Sequence, residues 1–285
     1  MRPDPNLYAN AVNLLPSLPL WLAGSILVML CVAGSEAGQR IHHYVAARHP
    51  RADVGKKGRL DMEGFIIGSV FGLFAFIVGF TFSIAVDRFE TRRLIVVEEA
   101  NAIQTSFLRA SLLDAKDSLP LQLVLRDYAH TRVSPEGLQD TQRRKQVERS
   151  IELREHLWNI ARNSVLPYRG TDLGVSIAES INDVLNVGTR RQLAGVAHIP
   201  DRVMDALLLY LIASSALLGY LTAEQPYRLR AASSLLFVLM AMAIVLILDL
   251  DRPRSGSILV PQTAMQNVIA ELDQVPLRSM ASKPR

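Results

Sequence analysis

Four apolar runs, separated by polar stretches of very unequal length, set the plan of the chain. The second is the most regular: no residue from Gly64 to Val86 is charged. At about 1.5 Å of rise per residue, a helix over that stretch covers a hydrocarbon core of roughly 30 Å. Neither Pro nor Gly then interrupts the chain before Leu113. The spacing therefore predicts one helix from Glu63 to Leu113, its first part (63–86) in a membrane and the remainder in water. Beyond the apolar span, the residues Phe89, Val96, Ala100, Ile103, Phe107 and Ala110 recur at heptad spacing. Such a seam predicts packing against further helices and marks the watery half as an assembly element.

The remaining runs fill in an all-helical plan. Residues 1–17 hold Pro3, Pro5 and Pro16 and read as a lead-in to a first span, 18–34. That run is a retained span: a signal peptide would stand nearer the start and end in a small-x-small site, and Met29-Leu30 stand where a lipoprotein needs small residues before Cys31. A basic loop or interfacial helix, 35–62, follows, in which His42 and His43 are adjacent but have no third ligand at a metal-site spacing.

Past the long helix, amphipathic patterns predict helices over Leu119–Arg132 and Asp140–Leu166. Pro167–Gly170 ends the latter, and Thr171 or Asp172 caps a third. The segment 87–199 is thus a helical extramembrane domain, large enough for its own small core. The third and fourth spans, 200–222 and 231–248, form an antiparallel hairpin, with Pro200 in the first turn of the former. The tail, 249–285, carries one short helix, Thr263–Leu272, expected on the surface or on a neighbouring subunit. Four spans put both termini and the helical domain on one side. Basic residues flank the spans almost equally on both sides, so the charge rule leaves the orientation open.

Composition agrees with a mixed protein. A 49% hydrophobic content and a mean hydropathy of +0.19 are high for a soluble domain, while 20% charged residues are too many for a chain buried wholly in lipid. The net charge of +4 and pI near 9.4 do not point to nucleic acid, because Lys and Arg are spread along the polar segments and beside the apolar runs. That placement fits topology and lipid headgroups. The single cysteine, Cys31, lies in an apolar run, forms no intrachain disulfide and reads as a small buried hydrophobe.

Candidate chemistry is sparse. None of G-x-x-x-x-G-K-[ST], G-x-G-x-x-G, G-x-S-x-G or H-E-x-x-H occurs, and no catalytic, metal or cofactor site is expected. Only Asp87, Asp205 and Asp249 stand at span edges, where a lipid-directed enzyme would need a polar cluster. The second span is more informative. Gly64, Gly68 and Gly72 form a stripe of small residues on which Phe76 and Phe80 follow one and two turns later. Two readings stay open: close helix packing with aromatics toward lipid, or a hydrophobic constriction shared by several copies.

The stretch Gly79–Phe89 (Gly-Phe-Thr-Phe-Ser-Ile-Ala-Val-Asp-Arg-Phe) resembles the end of the second membrane helix of bestrophins. Ile199-Pro200 resembles the start of their third, and Asp87–Asn101 is similar to the bacterial bestrophin-like membrane proteins. The plan of two spans, a helical domain and two spans is also theirs. The resemblance implies a homopentameric channel in the bacterial cytoplasmic membrane, with the second helix lining a central pore and a cytoplasmic helical domain extending it. Two apolar neck positions of the family fall on Phe76 and Phe80, and a third falls on Gly72, a departure that widens or shortens the neck. The acidic run that binds calcium in eukaryotic bestrophins is reduced to Asp249 and Asp251, interrupted by Arg252, so no calcium clasp is expected.

Rings of Asp87 or Arg88 at the pore mouth would favour cations or anions respectively, and the resemblance does not decide between them. The expected partners are therefore the lipid bilayer, further copies of the chain and small inorganic ions. The alternative is a membrane-anchored helical interaction or sensory module without a pore.

Overall fold

The computed structural model describes residues 18–48, 56–133, 140–224, 227–252 and 256–275, which are all-helical with short connections. In chain order the helices are α1 (Leu20–Arg48), α2 (Lys56–Ala110), α3 (Ala115–Thr131), α4 (Asp140–Val165), α5 (Asp172–Val196), α6 (Asp201–Leu221), α7 (Tyr227–Asp251) and α8 (Thr263–Gln274). Among the described residues, four stretches of helix are long and apolar enough to cross a membrane: Leu20–Arg48, Met62–Ala110, Asp172–Leu221 and Ala232–Asp251. The apolar part of the third is α6. Two compact units result, one of described residues up to Phe89 with His198–Leu259, the other of Glu90–Ala197 with the described residues from Val260 on.

The membrane unit is built around the crossing of α1 and α6. A Cβ added to Gly34 would lie 2.4 Å from Ser215 Oγ, one on Gly38 would lie 1.9 Å from the Ala216 carbonyl oxygen, and one on Gly219 would lie 2.0 Å from the Ser35 carbonyl oxygen. Gly34-x-x-x-Gly38 thus meets Ser215-x-x-x-Gly219 backbone to backbone, as small residues permit in lipid, where no hydrophobic force draws helices together. Leu27, Cys31, Leu211, Ile244 and the inner side of α2 at Phe74 fill the core around this crossing. Phe74 stacks on Tyr210 with ring centroids 5.7 Å apart, and the Tyr210 hydroxyl donates to the Val70 carbonyl at 3.2 Å.

This unit corrects the reading of 35–62 as a loop. The first helix runs on to Arg48, and the second begins at Lys56, leaving 49–55 outside the described residues. Gly38 does not break α1 because α6 packs directly on it. His42, expected to be solvated, is 3% exposed, faces the Glu224 carboxylate at 3.1 Å and meets the Tyr220 ring edge-on; His43 is exposed.

In the helical unit, α2 from Glu90 onward packs with α3, α4, α5 and α8 around Ile103, Phe107, Leu125, Leu157, Ile181 and Met265. The break after α4 is as expected. Leu166–Tyr168 form a 3-10 turn, Gly170 takes the left-handed φ of +84° that favours glycine, and Thr171 Oγ1 accepts from Gly174 N at 3.1 Å as the N-cap of α5. One detail differs from expectation. Helix α3 starts at Ala115, with Pro120 inside it; near a helix start, the carbonyl left without a donor belongs to exposed Lys116 and can reach water. The tail helix α8 lies on this unit with one side inward: Met265, Val268 and Leu272 are buried in its core, while Gln266, Asn267, Glu271 and Asp273 stay exposed.

Candidate functional site

The most distinctive surface is one side of α2. Within the membrane unit Phe74, Thr81 and Ala85 turn inward, and Phe65, Ser69, Gly72, Phe76, Phe80, Ser83 and Asp87, spaced by three or four residues, are all exposed. Phe76 and Phe80 are 71% and 64% exposed. Beside this line, Gly64, Gly68 and Gly79 are also open, and a Cβ added to any of these glycines or to Gly72 meets nothing within 4 Å. With 3.6 residues per turn, the uncovered arc takes in roughly half the helix circumference. The expected constriction positions thus share one face that the described residues leave free, and the glycine stripe has no neighbour among them.

The charged exit of the span divides by direction. Asp87 is exposed on the line of Phe76 and Phe80, whereas Arg88, one residue on and so about 100° around the helix, is half-buried. Glu90 and Arg93 form a pair at 2.6 Å that holds the Glu90 carboxyl below the usual carboxylate range. Buried Arg92 donates to the Ala194 and Ala197 carbonyls at 3.1 and 2.6 Å, capping the end of α5.

The heptad seam has a different partner from the one expected. Val96, Ala100, Ile103, Phe107 and Ala110 are buried in the chain's own helical unit, and Phe89 is half-buried against the membrane unit's smaller cluster of Ala85, Ile199, Ile247 and Leu250. These residues pack within the chain because α3, α4 and α5 supply the apolar surfaces the seam needs. Contacts between copies would use other faces.

Sequence reading missed a buried charge cluster in the helical unit. Glu99, fully buried, lies 2.8 Å from Arg132 Nε and 2.6 Å from Arg191 Nη1, and accepts from the Tyr128 hydroxyl at 2.9 Å. Arg191 Nη2 also donates to the Arg132 carbonyl at 3.0 Å and to Gln262 Oε1 at 2.7 Å, tying the tail segment to α2, α3 and α5. Burial pushes the Tyr128 hydroxyl up and the Arg191 guanidinium down, the latter opposed by the Glu99 charge. A charged residue three after Val96 and four before Ile103, on the buried stripe, was the available signal.

At the end of α7 its two carboxylates serve the backbone. Asp249 Oδ1 accepts from Ser257 N at 2.6 Å, and a Cβ on Gly256 would lie 2.1 Å from that oxygen, so only glycine fits there. Asp251 Oδ1 accepts from Ile199 N at 3.0 Å, its Oδ2 lies 3.2 Å from His198 Nδ1, and Arg252 Nη1 donates to the Leu18 carbonyl at 2.7 Å. Among the described residues no three His, Cys, Asp or Glu side chains are grouped to hold a metal ion.

Together these features define an integral membrane protein, all-helical, with four candidate spans and one span left open along half its surface. The chain matches the Bestrophin-like domain over residues 22–265 and belongs to that bestrophin-like family, one associated with ion channels rather than enzymes. No curated protein and no solved structure matches it.

Proposed function

We propose that several copies of the chain, five by the family resemblance, assemble into an ion channel whose pore is lined by α2. The open face of α2 carries this reading. A helix turned to lipid gains from an unbroken cover of large apolar side chains, but this face alternates Phe with Ser69, Gly72, Ser83 and Asp87. A helix in a ring needs an uncovered arc wide enough for the lumen and both neighbours, and its glycine flank allows close approach. Phe76 and Phe80 form the apolar constriction, which gates by dewetting; Gly72 leaves it a turn shorter. Asp87 and Arg88 provide charge at the mouth. The protein sits in the bacterial cytoplasmic membrane with the helical unit in the cytoplasm, and no bond chemistry is involved.

A second reading, a membrane-anchored interaction module, draws on exposed Leu193 and Val196 near the end of α5, 62% and 69% accessible. Subunit stoichiometry separates the two. Native mass spectrometry or particle averaging of detergent-purified protein is expected to show a five-membered ring, and a dimer would rule out the pore.

A further inference from the structure

We infer that the permeant ion is a cation and that Asp87 sets this preference, an inference that rests on the channel reading above. From Gly64 to Val86 the open face of α2 carries no ionisable group, and Asp87 is the first it meets. Steps of four, three and four residues lead from Phe76 through Phe80 and Ser83 to Asp87, so its carboxylate shares their side of the helix. It has no ion-pair partner among the described residues. The exposed or half-exposed acids that follow on α2 are compensated: Glu90 pairs with Arg93, and Glu98 pairs with Arg190.

The basic side chains of α2 beyond the span lie off that line or are engaged by other groups. Arg88 turns away from the open face and is half-buried. Arg92 is buried on the carbonyls that end α5, Arg93 is held by Glu90, and Arg109 donates to the Ser176 carbonyl at 2.9 Å. Uncompensated charge on the pore-facing line is therefore negative. In a ring, one carboxylate per copy would stand just past the apolar constriction, where low-dielectric walls focus the field and enrich counterions by about ten-fold or more. Small inorganic cations gain from this, and anions are repelled. Because the groups are solvated, the preference weakens as the Debye length falls from about 10 Å at 0.1 M salt to about 3 Å at 1 M.

The test is the reversal potential of the full-length oligomer in planar bilayers across a KCl gradient. The wild type is expected to favour K+ over Cl− by a ratio on the order of ten at low salt. That ratio falls toward unity in Asp87→Asn, inverts in Asp87→Lys, and changes less in Arg88→Gln than in Asp87→Asn. Anion preference in the wild type, a ratio untouched by Asp87→Asn, or a larger effect of Arg88→Gln overturns the assignment to Asp87 while leaving a conducting channel in place. Silent bilayers from verified intact oligomers overturn both the assignment and the channel.

Discussion

Glu99 and Arg191 meet at 2.6 Å in a pocket where the carboxylate is fully buried, and a second guanidinium, Arg132, approaches the same carboxylate at 2.8 Å. Removing the acid leaves two partly buried guanidinium groups facing each other without compensation. Glu99→Ala is expected to destabilise the helical unit by about 3–5 kcal/mol. Arg191→Leu leaves Glu99 still paired with Arg132 and should cost less. Urea unfolding of the detergent-solubilised protein measures both, and equal losses would contradict this account of the cluster.

Tyr128 gives this cluster a pH dependence. Burial first, then the neighbouring Glu99 charge, pushes its hydroxyl above the ordinary tyrosine value of about 10. A folded-state value raised in this way contributes stability that is complete below the unfolded pKa and is lost as pH climbs from there through the folded value. The helical unit should therefore weaken in the alkaline range above pH ~10. Phenolate absorbance during an alkaline titration should show a late tyrosine that is missing from Tyr128→Phe; identical curves would refute the shift.

The glycines of the membrane unit should respond in opposite ways. At Gly38 a new side chain collides with the α6 backbone, which cannot swing aside, so Gly38→Leu is expected to cost at least the roughly 1–3 kcal/mol of ordinary overpacking. At Gly68 a side chain enters open space, so Gly68→Leu should change the chain's own stability by no more than about 0.5 kcal/mol. It should instead lower the fraction of oligomer, since in the proposed ring the next copy approaches along the glycine flank. Thermal melting paired with native mass spectrometry distinguishes these effects; an unchanged oligomer in Gly68→Leu would remove that flank from the interface.

Gly72 offers a gain-of-constriction test. It stands a turn before Phe76 on the same face with nothing within 4 Å, so Gly72→Ile adds an apolar side chain to the lumen without disturbing the chain's packing. Unitary conductance should fall while the melting temperature holds. Equal conductance in the two proteins would place residue 72 outside the pore.

Much of this architecture was legible because helices write their faces into the sequence at short range. The unbroken helix through Val86, the turn at Gly170 and the Thr171 cap are local patterns, and each is found where the pattern put it. Phe76 and Phe80 could be placed on one stripe by spacing alone, but only the structure shows that none of the described residues covers that stripe. What stayed hidden depends on which distant helix arrives. Gly34 read as the end of a span because its partner, Ser215, is far away in sequence; the seam from Val96 to Ala110 looked available to another copy because heptad spacing carries no record of whose helix fills it. Glu99, Arg132, Arg191 and Gln262 come together only through the packing of three helices and the returning tail.

The account rests most heavily on the face that carries Phe76 and Phe80, and single-channel recording of the purified oligomer in planar bilayers tests it most directly. Wild-type protein should give discrete currents, and the double variant Phe76→Ala with Phe80→Ala should give larger ones, since removing two apolar rings widens and wets the constriction. Absence of current from intact oligomers, or a double variant with wild-type conductance, would contradict the claim that α2 lines a pore.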